Sequence, residues 1–374
     1  MKSNKRTLLN LAALALTASL AACGGGGGGG DAGDGGNGGG APIEVVAQTG
    51  NLQTTAGVNG YVASTMKAQA FDAMNAHRVA SGAGYIYQSA QLDTAAQKHG
   101  DYVSETMAKR LNGDYTGDAL TRSLDLHTQY GDLVAPATFY ATTNPDRTVL
   151  SGFASAGAFS SESLGGAFTF TPPATVIEDG EACIKTALNT VYHAEVILSR
   201  ATHVGLGRFV DEGANPGCVV HVAATNSMGQ VPGANNVIVN PAPSATVNGT
   251  FYIDAESPRP AAGIITTSSS GSPIMVNLRN ATYVNAKANG PASASVSTFT
   301  VRDSLNNVID GVLLAGDNVT GTAMGPVLNK DSKVGEATVF FMPRDPLAAG
   351  TYTVTFAGTT AGEAINRVWS FTAQ

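Results

Sequence analysis

The sequence predicts an α+β protein in two folded parts, a helix-rich part followed by an antiparallel β-sandwich. Two patterns carry this. Before Thr225, apolar residues recur at three- and four-residue steps in segments separated by loops. After Thr225 they alternate in short runs punctuated by Gly, Pro and Asn. Length agrees. Of 374 residues, about 330 remain once the N-terminal leader and glycine tract are set aside, which suits two domains, here residues 49–225 and 226–374.

Lys2, Lys5 and Arg6 precede an apolar run from Leu8 to Ala22. That run is shorter than the roughly 20 residues a bilayer-spanning helix needs. A basic head, a short apolar stretch and a small-residue exit make a secretory signal of residues 1–22. The exit, Leu20-Ala21-Ala22-Cys23-Gly24, resembles the lipobox of bacterial lipoproteins. The resemblance implies a lipid on Cys23 and a membrane as partner. Gly24, where Asp would signal inner-membrane retention, implies the outer membrane in a cell that has one. Gly24–Gly40 is nearly all glycine, too free in its backbone and too bare to bury anything. Residues 23–48 are read as a disordered tether, its Gly-rich stretch spanning roughly 23 Å r.m.s..

The formal charge is −7 and only 13% of residues are charged. No basic cluster follows the leader, which argues against a nucleic-acid partner. Cys183 and Cys218 are the other two cysteines. In an oxidising compartment they are expected to pair, joining a helix start to a later strand.

In the first part, Val62, Met66, Ala70, Met74 and His77, widened by Ala63 and Phe71, form one stripe of a helix over Tyr61–Val79. Leu92, Ala95, Ala96, His99, Tyr102, Val103 and Met107 form a second stripe, with Gly113 as its stop. Cys183–Leu198 reads as a third helix. The small-residue stretch between the second and third, Asn112–Pro173, has weak periodicity. Gly205–Arg208 and Cys218–Ala223 read as strands around a turn containing Asn215-Pro216-Gly217. In the second part, Tyr352, Val354 and Phe356 alternate with Thr351, Thr353 and Thr355. Trp369 and Phe371 alternate with Val368 and Ser370. Val339–Met342 is a short strand, and Phe299 and Val301 lead into an Asn306-Asn307 hairpin turn before Val308.

No pair among the six histidines has the spacing of a His-Glu-x-x-His zinc helix. No Gly-x-Ser-x-Gly elbow or Walker loop is present, and Gly205-Leu206-Gly207 lacks the third glycine of a dinucleotide site. What does stand out is an ordered set: Asn75-Ala76-His77-Arg78 with Gly82; Leu92, Ala95, Ala96 and His99; His127-Thr128; Asp146-Arg147 with Gly152-Phe153; Glu162; and Tyr192-His193 leading to Val204-Gly205-Leu206-Gly207. Over roughly Tyr61–Ala223 this set resembles the CAP superfamily (cysteine-rich secretory, antigen 5, pathogenesis-related 1). The resemblance implies an α-β-α sandwich with a cleft floored by His127, Glu162 and His193. Two imidazoles and a carboxylate with that chemistry are a candidate Zn²⁺ site with an open fourth position. The pattern departs at Ser161 and Ser163, which flank Glu162, and at Ala194. The family's second glutamate has only Glu178 and Glu181 as loose candidates. His77 and His99 on apolar helix faces, and His203 and His221 beside turn or strand, read as structural. The C-terminal strands are similar to Ig-like modules of bacterial surface proteins, without the inter-sheet disulfide of antibody domains, and read as a spacer that stabilises or presents the first part.

Three functions follow. The first is a non-enzymatic surface module binding a small apolar ligand, a metal ion or a partner protein. The second is a metal-dependent hydrolase of peptide or cell-wall bonds, with Glu162 as base only if it is not a ligand. The third is a structural envelope protein. The first is preferred; catalytic residues are unassigned.

Overall fold

A computed structural model describes residues 46–171, 175–321 and 326–374. The leader, Cys23 and the glycine tract lie outside the described residues. The chain is α+β. In chain order the first part contains α1 (Met66–Ser81), β1 (Tyr87–Gln88), α2 (Ala90–Leu111), α3 (Gly117–Ser123), α4 (Asn144–Leu150) and β2 (Ser160–Gly166). It continues with the hairpin β3 (Phe168–Thr171) and β4 (Thr175–Glu178), then α5 (Gly180–Leu188), α6 (Tyr192–Ile197), β5 (His203–Val210) and β6 (Pro216–Ala223).

Local chemistry sets the helix ends. The Thr65 hydroxyl accepts from the Ala68 N–H to start α1, and Gly82, at φ 85°, ends it in the left-handed region. The helix therefore begins after Val62, which is exposed, rather than at Tyr61. Ser89 caps α2, and a capping box between Thr143 and Asp146, with Pro145 in the first turn, starts α4. The expected third helix is two helices. Asn189–Val191 breaks it, and the second piece, α6, is held separately.

Strands β1, β5, β6 and β2 form one sheet in that spatial order. The sheet has helices on both faces. On one face Val204, Leu206, Val220 and Val222 pack with Phe71 and Met74 of α1 and with α5 and α6. On the other, Phe209 and Val219 pack with Tyr102, Val103 and Met107 of α2. Gly205 and Gly207 let α2 lie directly on β5: a Cβ at Gly205 would stand 2.0 Å from the Leu92 carbonyl carbon, and one at Gly207 2.2 Å from the Ala96 oxygen. Cys183 of α5 and Cys218 of β6 are joined by a disulfide, with Cα atoms 6.3 Å apart. The β5–β6 connection turns through Asp211–Asn215, and Pro216 already belongs to the strand.

The second part contains β7 (Ile238–Asn240), β8 (Thr246–Val247), β9 (Thr250–Tyr252), β10 (Ser269–Gly271), β11 (Ile274–Asn277), α7 (Ala281–Ala288), β12 (Ala294–Arg302), β13 (Gly311–Ala315) and β14 (Val319–Thr320). After these come β15 (Leu328–Lys330), β16 (Thr338–Pro343), β17 (Gly350–Thr360) and β18 (Glu363–Ala373). Two five-stranded sheets, β15-β13-β16-β11-β7 and β14-β12-β17-β18-β8, face each other. Ile274, Leu313, Val339 and Phe341 of one interdigitate with Phe299, Val354, Phe356 and Phe371 of the other. The Asn306-Asn307 turn makes only a single bridge, Arg302 to Val308, because β13 leaves for the opposite sheet.

The first of these sheets is buried on both faces. Between the residues facing the sandwich core, Met275, Val312, Leu314, Phe340 and Met342 pack into the same apolar cluster as Phe71, Ile184 and Ile197. The core thus runs unbroken across residue 225. Val46, expected in the tether, is buried in the sandwich core and exchanges hydrogen bonds with Asn285.

Reducing the disulfide, or replacing both cysteines with serine, removes a cross-link across a sequence separation of 35 residues. By the chain-entropy relation this costs about 3–4 kcal/mol. Urea unfolding of the Cys183→Ser/Cys218→Ser variant should show that loss, and an unchanged midpoint would contradict it.

Candidate functional site

Glu162 lies on the edge strand β2, with His221 of β6 directly opposite it in the ladder. Both side chains point to the face covered by α2 and α4. There Glu162 is buried and meets Arg147 of α4, whose Nη2 donates to its two carboxylate oxygens at 2.9 and 3.0 Å. The same Arg147 also donates to the carbonyls of His127, Ala141 and Thr142. One guanidinium therefore fixes both the carboxylate and the loop that carries His127. A buried charge without a partner is costly, so this pair has to form for the face to close.

Three imidazoles surround the pair. His127 Nδ1 lies 3.2 Å from Glu162 Oε1, and because an ionised carboxylate only accepts, Nδ1 carries the proton. His99 Nε2 of α2 lies 3.1 Å from the same oxygen. Its tautomer follows from Gln129. The Gln129 carbonyl oxygen accepts the Tyr140 N–H, which turns the amide nitrogen to His99 Nδ1 at 3.0 Å. Nδ1 must then accept, and the proton sits on Nε2 toward Glu162. His221 Nδ1 is 3.8 Å from Glu162 Oε2, and its Nε2 is 2.7 Å from the Thr148 hydroxyl.

Burial alone would raise the Glu162 pKa, but the charge of Arg147, then His99 and the bond from His127, hold it well below the usual carboxylate range. Burial, reinforced by Arg147, lowers His99 to about 4. Burial lowers His221 to about 3 and, with the neighbouring His127, lowers His193 to about 3.

His193 approaches from the other side, on α6. The ring centroids of His127 and His193 are 6.1 Å apart. Glu256, from the second part of the chain, holds this helix. Its carboxylate accepts the backbone N–H groups of Val191, Tyr192 and His193 at 2.9, 2.7 and 3.2 Å, and it lies 3.6 Å from His193 Nδ1. Burial nonetheless pushes Glu256 up to about 7. Further along α6, the C-terminal carbonyl of Ile197 accepts from the buried Arg78 guanidinium, as does Ser199. The Asn-x-x-Arg motif thus anchors the site helix from behind.

The structure therefore brings His127, Glu162 and His193 into one place, but as a chain of contacts with His127 in the middle. Among the described residues, no group of three or more His, Cys, Asp or Glu side chains converges on a metal position. Glu162 cannot serve as the third zinc ligand, because its oxygens are engaged by Arg147, His99 and His127. His99 and His221, expected to be structural, are fully buried and also lie against Glu162. Glu178 and Glu181 are elsewhere, paired on the surface with Arg208 and Lys185. Only the ladder register could have placed His221 opposite Glu162, and periodicity does not supply register.

His193 also lines a cavity of about 380 Å³, between α5 and the β7–β9 region, with Leu164, Leu188, Phe251 and His77 among its walls. No helix among the described residues is long and apolar enough to cross a membrane.

No family model matches this chain, and no curated protein matches it. Among solved structures it is similar to PcoC, a copper resistance protein from Escherichia coli, at 13% identity over 36% of this chain and 95% of that chain, with a TM-score of 0.19. Overlap that loose carries no inference about fold or ligand.

Acid stability tests the buried histidines. His221 stays neutral in the fold down to about pH 3, whereas an unfolded histidine protonates near pH 6.5. Between those values the unfolded chain binds more protons, so His221 lowers stability as pH falls. Glu195 and Glu256, raised to about 7, act in the opposite direction between about pH 7 and 4.5, so the test is differential. His221→Gln should cost about 1–3 kcal/mol at pH 8 through the lost Thr148 contact. It should recover on the order of 1–2 kcal/mol of that by pH 5. A wild-type-to-variant gap independent of pH, followed by urea unfolding, would contradict the assignment.

Proposed function

We propose that this chain is an exported, lipid-anchored binding module, in which a CAP-like domain fused to an Ig-like sandwich presents a small-ligand site at His127 and His193. The ordered motif set supports the CAP reading, and the parts its residues play support it further: Arg78 behind the site helix, Gly205 and Gly207 under α2, and His127, Glu162 and His193 in one cleft. The leader and the Leu-Ala-Ala-Cys exit support export and anchoring through Cys23.

One observation carries the site. The Nε2 atoms of His127 and His193 are both buried and without a hydrogen-bond partner, while each Nδ1 faces a carboxylate, Glu162 or Glu256. A carboxylate behind an imidazole whose far nitrogen is free is the arrangement that holds metal-binding histidines. Ring centroids 6.1 Å apart suit one ion bonded to both nitrogens at about 2.0–2.1 Å. The pair fits a divalent cation such as Zn²⁺ as a two-imidazole site, with Glu162 and Glu256 orienting the rings and not ligating. The neutral form of His193, kept by burial, is the ligating form. Such an ion would supply a Lewis-acidic anchor for a donor atom of the bound molecule. The apolar cavity bordered by His193 would take that molecule's body.

The hydrolase reading loses its base. A carboxylate held well below its usual range, bonded to Arg147 and His127 and 3.1 Å from His99 Nε2, takes up a proton poorly. Glu256, the carboxylate beside His193, is bonded to three backbone N–H groups, and Asp125 accepts the backbone N–H groups of His127 and Thr128.

Calorimetry of Zn²⁺ binding near neutral pH, on metal-stripped chain lacking residues 1–40, tests the site. Wild type should bind about one equivalent and His127→Ala/His193→Ala none. If neither binds, the metal site is wrong and the cavity must take its ligand without an ion. If the double variant binds as well as wild type, the ion sits elsewhere.

A further inference from the structure

A second cleft, of about 570 Å³, opens between α6 and the β11–β16 side of the sandwich, away from Glu162. Arg200, Arg279, Lys287 and Lys333 line it, against two carboxylates, Glu195 and Glu336. Neither carboxylate hydrogen-bonds an arginine, although Glu336 lies near enough to attract both. Glu195 accepts the Gly335 N–H with both oxygens, and Glu336 pairs with Lys287. Among the described residues, Arg200 makes no side-chain hydrogen bond; its guanidinium lies over the Phe159 ring, 4.6 Å from the centroid. Arg279 makes one, to the Met228 carbonyl at 3.1 Å. The Nε atoms of both arginines are buried without a partner, and both side chains line the same cleft. Two half-buried like charges with unused donors are an unfavourable arrangement. The same arrangement, with planar forks and fixed positions, is what an oxyanion needs.

We propose that this cleft binds an organic anion, a phosphate- or carboxylate-type head on Arg200 and Arg279 with an apolar body. The head would satisfy the orphaned donors and neutralise the two cationic groups that line the cleft. The body would lie along Leu52, Val196, Leu198 and Ile238, which share the lining; the cleft is larger than a bare inorganic anion fills. Elements from both parts of the chain contribute, so occupancy would also clamp α6, the helix that carries His193. This inference stands on different residues from the His127–His193 site and does not depend on it.

Phenyl phosphate is the probe, with inorganic phosphate and phenol as its two halves. Titrated into the ¹⁵N-labelled full chain in detergent, phenyl phosphate should move the Nε–H signals of Arg200 and Arg279 and raise the melting temperature. Phenol should do neither, and inorganic phosphate should bind more weakly than phenyl phosphate. Arg200→Gln and Arg279→Gln should each weaken phenyl phosphate binding by about tenfold or more. Zn²⁺ binding in these variants should be unchanged, which separates failure here from failure at the histidine site. Co-sedimentation with phosphatidic-acid vesicles, present in wild type and lost in both variants, would assign the head to a lipid; its absence beside phenyl phosphate binding would assign it to a soluble anion. Unmoved Nε–H signals at saturating phenyl phosphate would overturn the proposal, as would phosphate and phenyl phosphate binding equally. Because that reading uses wild-type protein, it holds even if a variant fails to fold.

Discussion

The arrangement of the cleft depends on one buried ion pair, Glu162 with Arg147. Each charge is removed from water, and each would be costly alone. Together they fix three otherwise independent pieces: the edge strand β2, the short helix α4, and the loop bearing His127, whose carbonyl Arg147 also binds. The carboxylate, kept ionised, then sets the proton position on His127 and receives His99 and His221. A stretch of chain with little apolar periodicity is thereby organised by polar contacts around a charge.

A second constraint comes from the opposite side. Helix α6 is only six residues long and would not persist alone. Glu256 holds its first turn, Arg78 collects the carbonyls at its end, Tyr192 bonds Asp331, and Glu195 bonds Gly335. Three of those four anchors belong to the second part of the chain. His193 is positioned by the sandwich as much as by its own part of the chain.

How much of this was legible varied with the kind of information required. The helices α1 and α2 and the strands β5, β6, β17 and β18 follow from apolar spacing, because each buries one face against a large core. The disulfide follows from compartment and count. The break between α5 and α6 was hidden, since Val191 and Tyr192 continue an apolar pattern while Asn189 and Thr190 bond to the neighbouring backbone. His127, Glu162 and His193 were reachable as a group through motif order, yet their geometry was not. His99 occupies an apolar helix face and His221 a strand whose eight residues are all buried, so both read as core. The role of Glu256 required a contact across more than sixty residues, which no local pattern carries.

The central claim is that the Glu162 carboxylate, held by Arg147, sets which ring nitrogen of His127 carries the proton. Imidazole ¹⁵N chemical shifts at pH 7 test it directly, on wild type and on Glu162→Gln. Wild type should show a proton on Nδ1 of His127, and His99 neutral with its proton on Nε2. In Glu162→Gln the Nδ1 proton of His127 should no longer be preferred. A His127 that carries its proton on Nε2 in wild type, or is the same in both proteins, would show that the carboxylate does not organise this cleft.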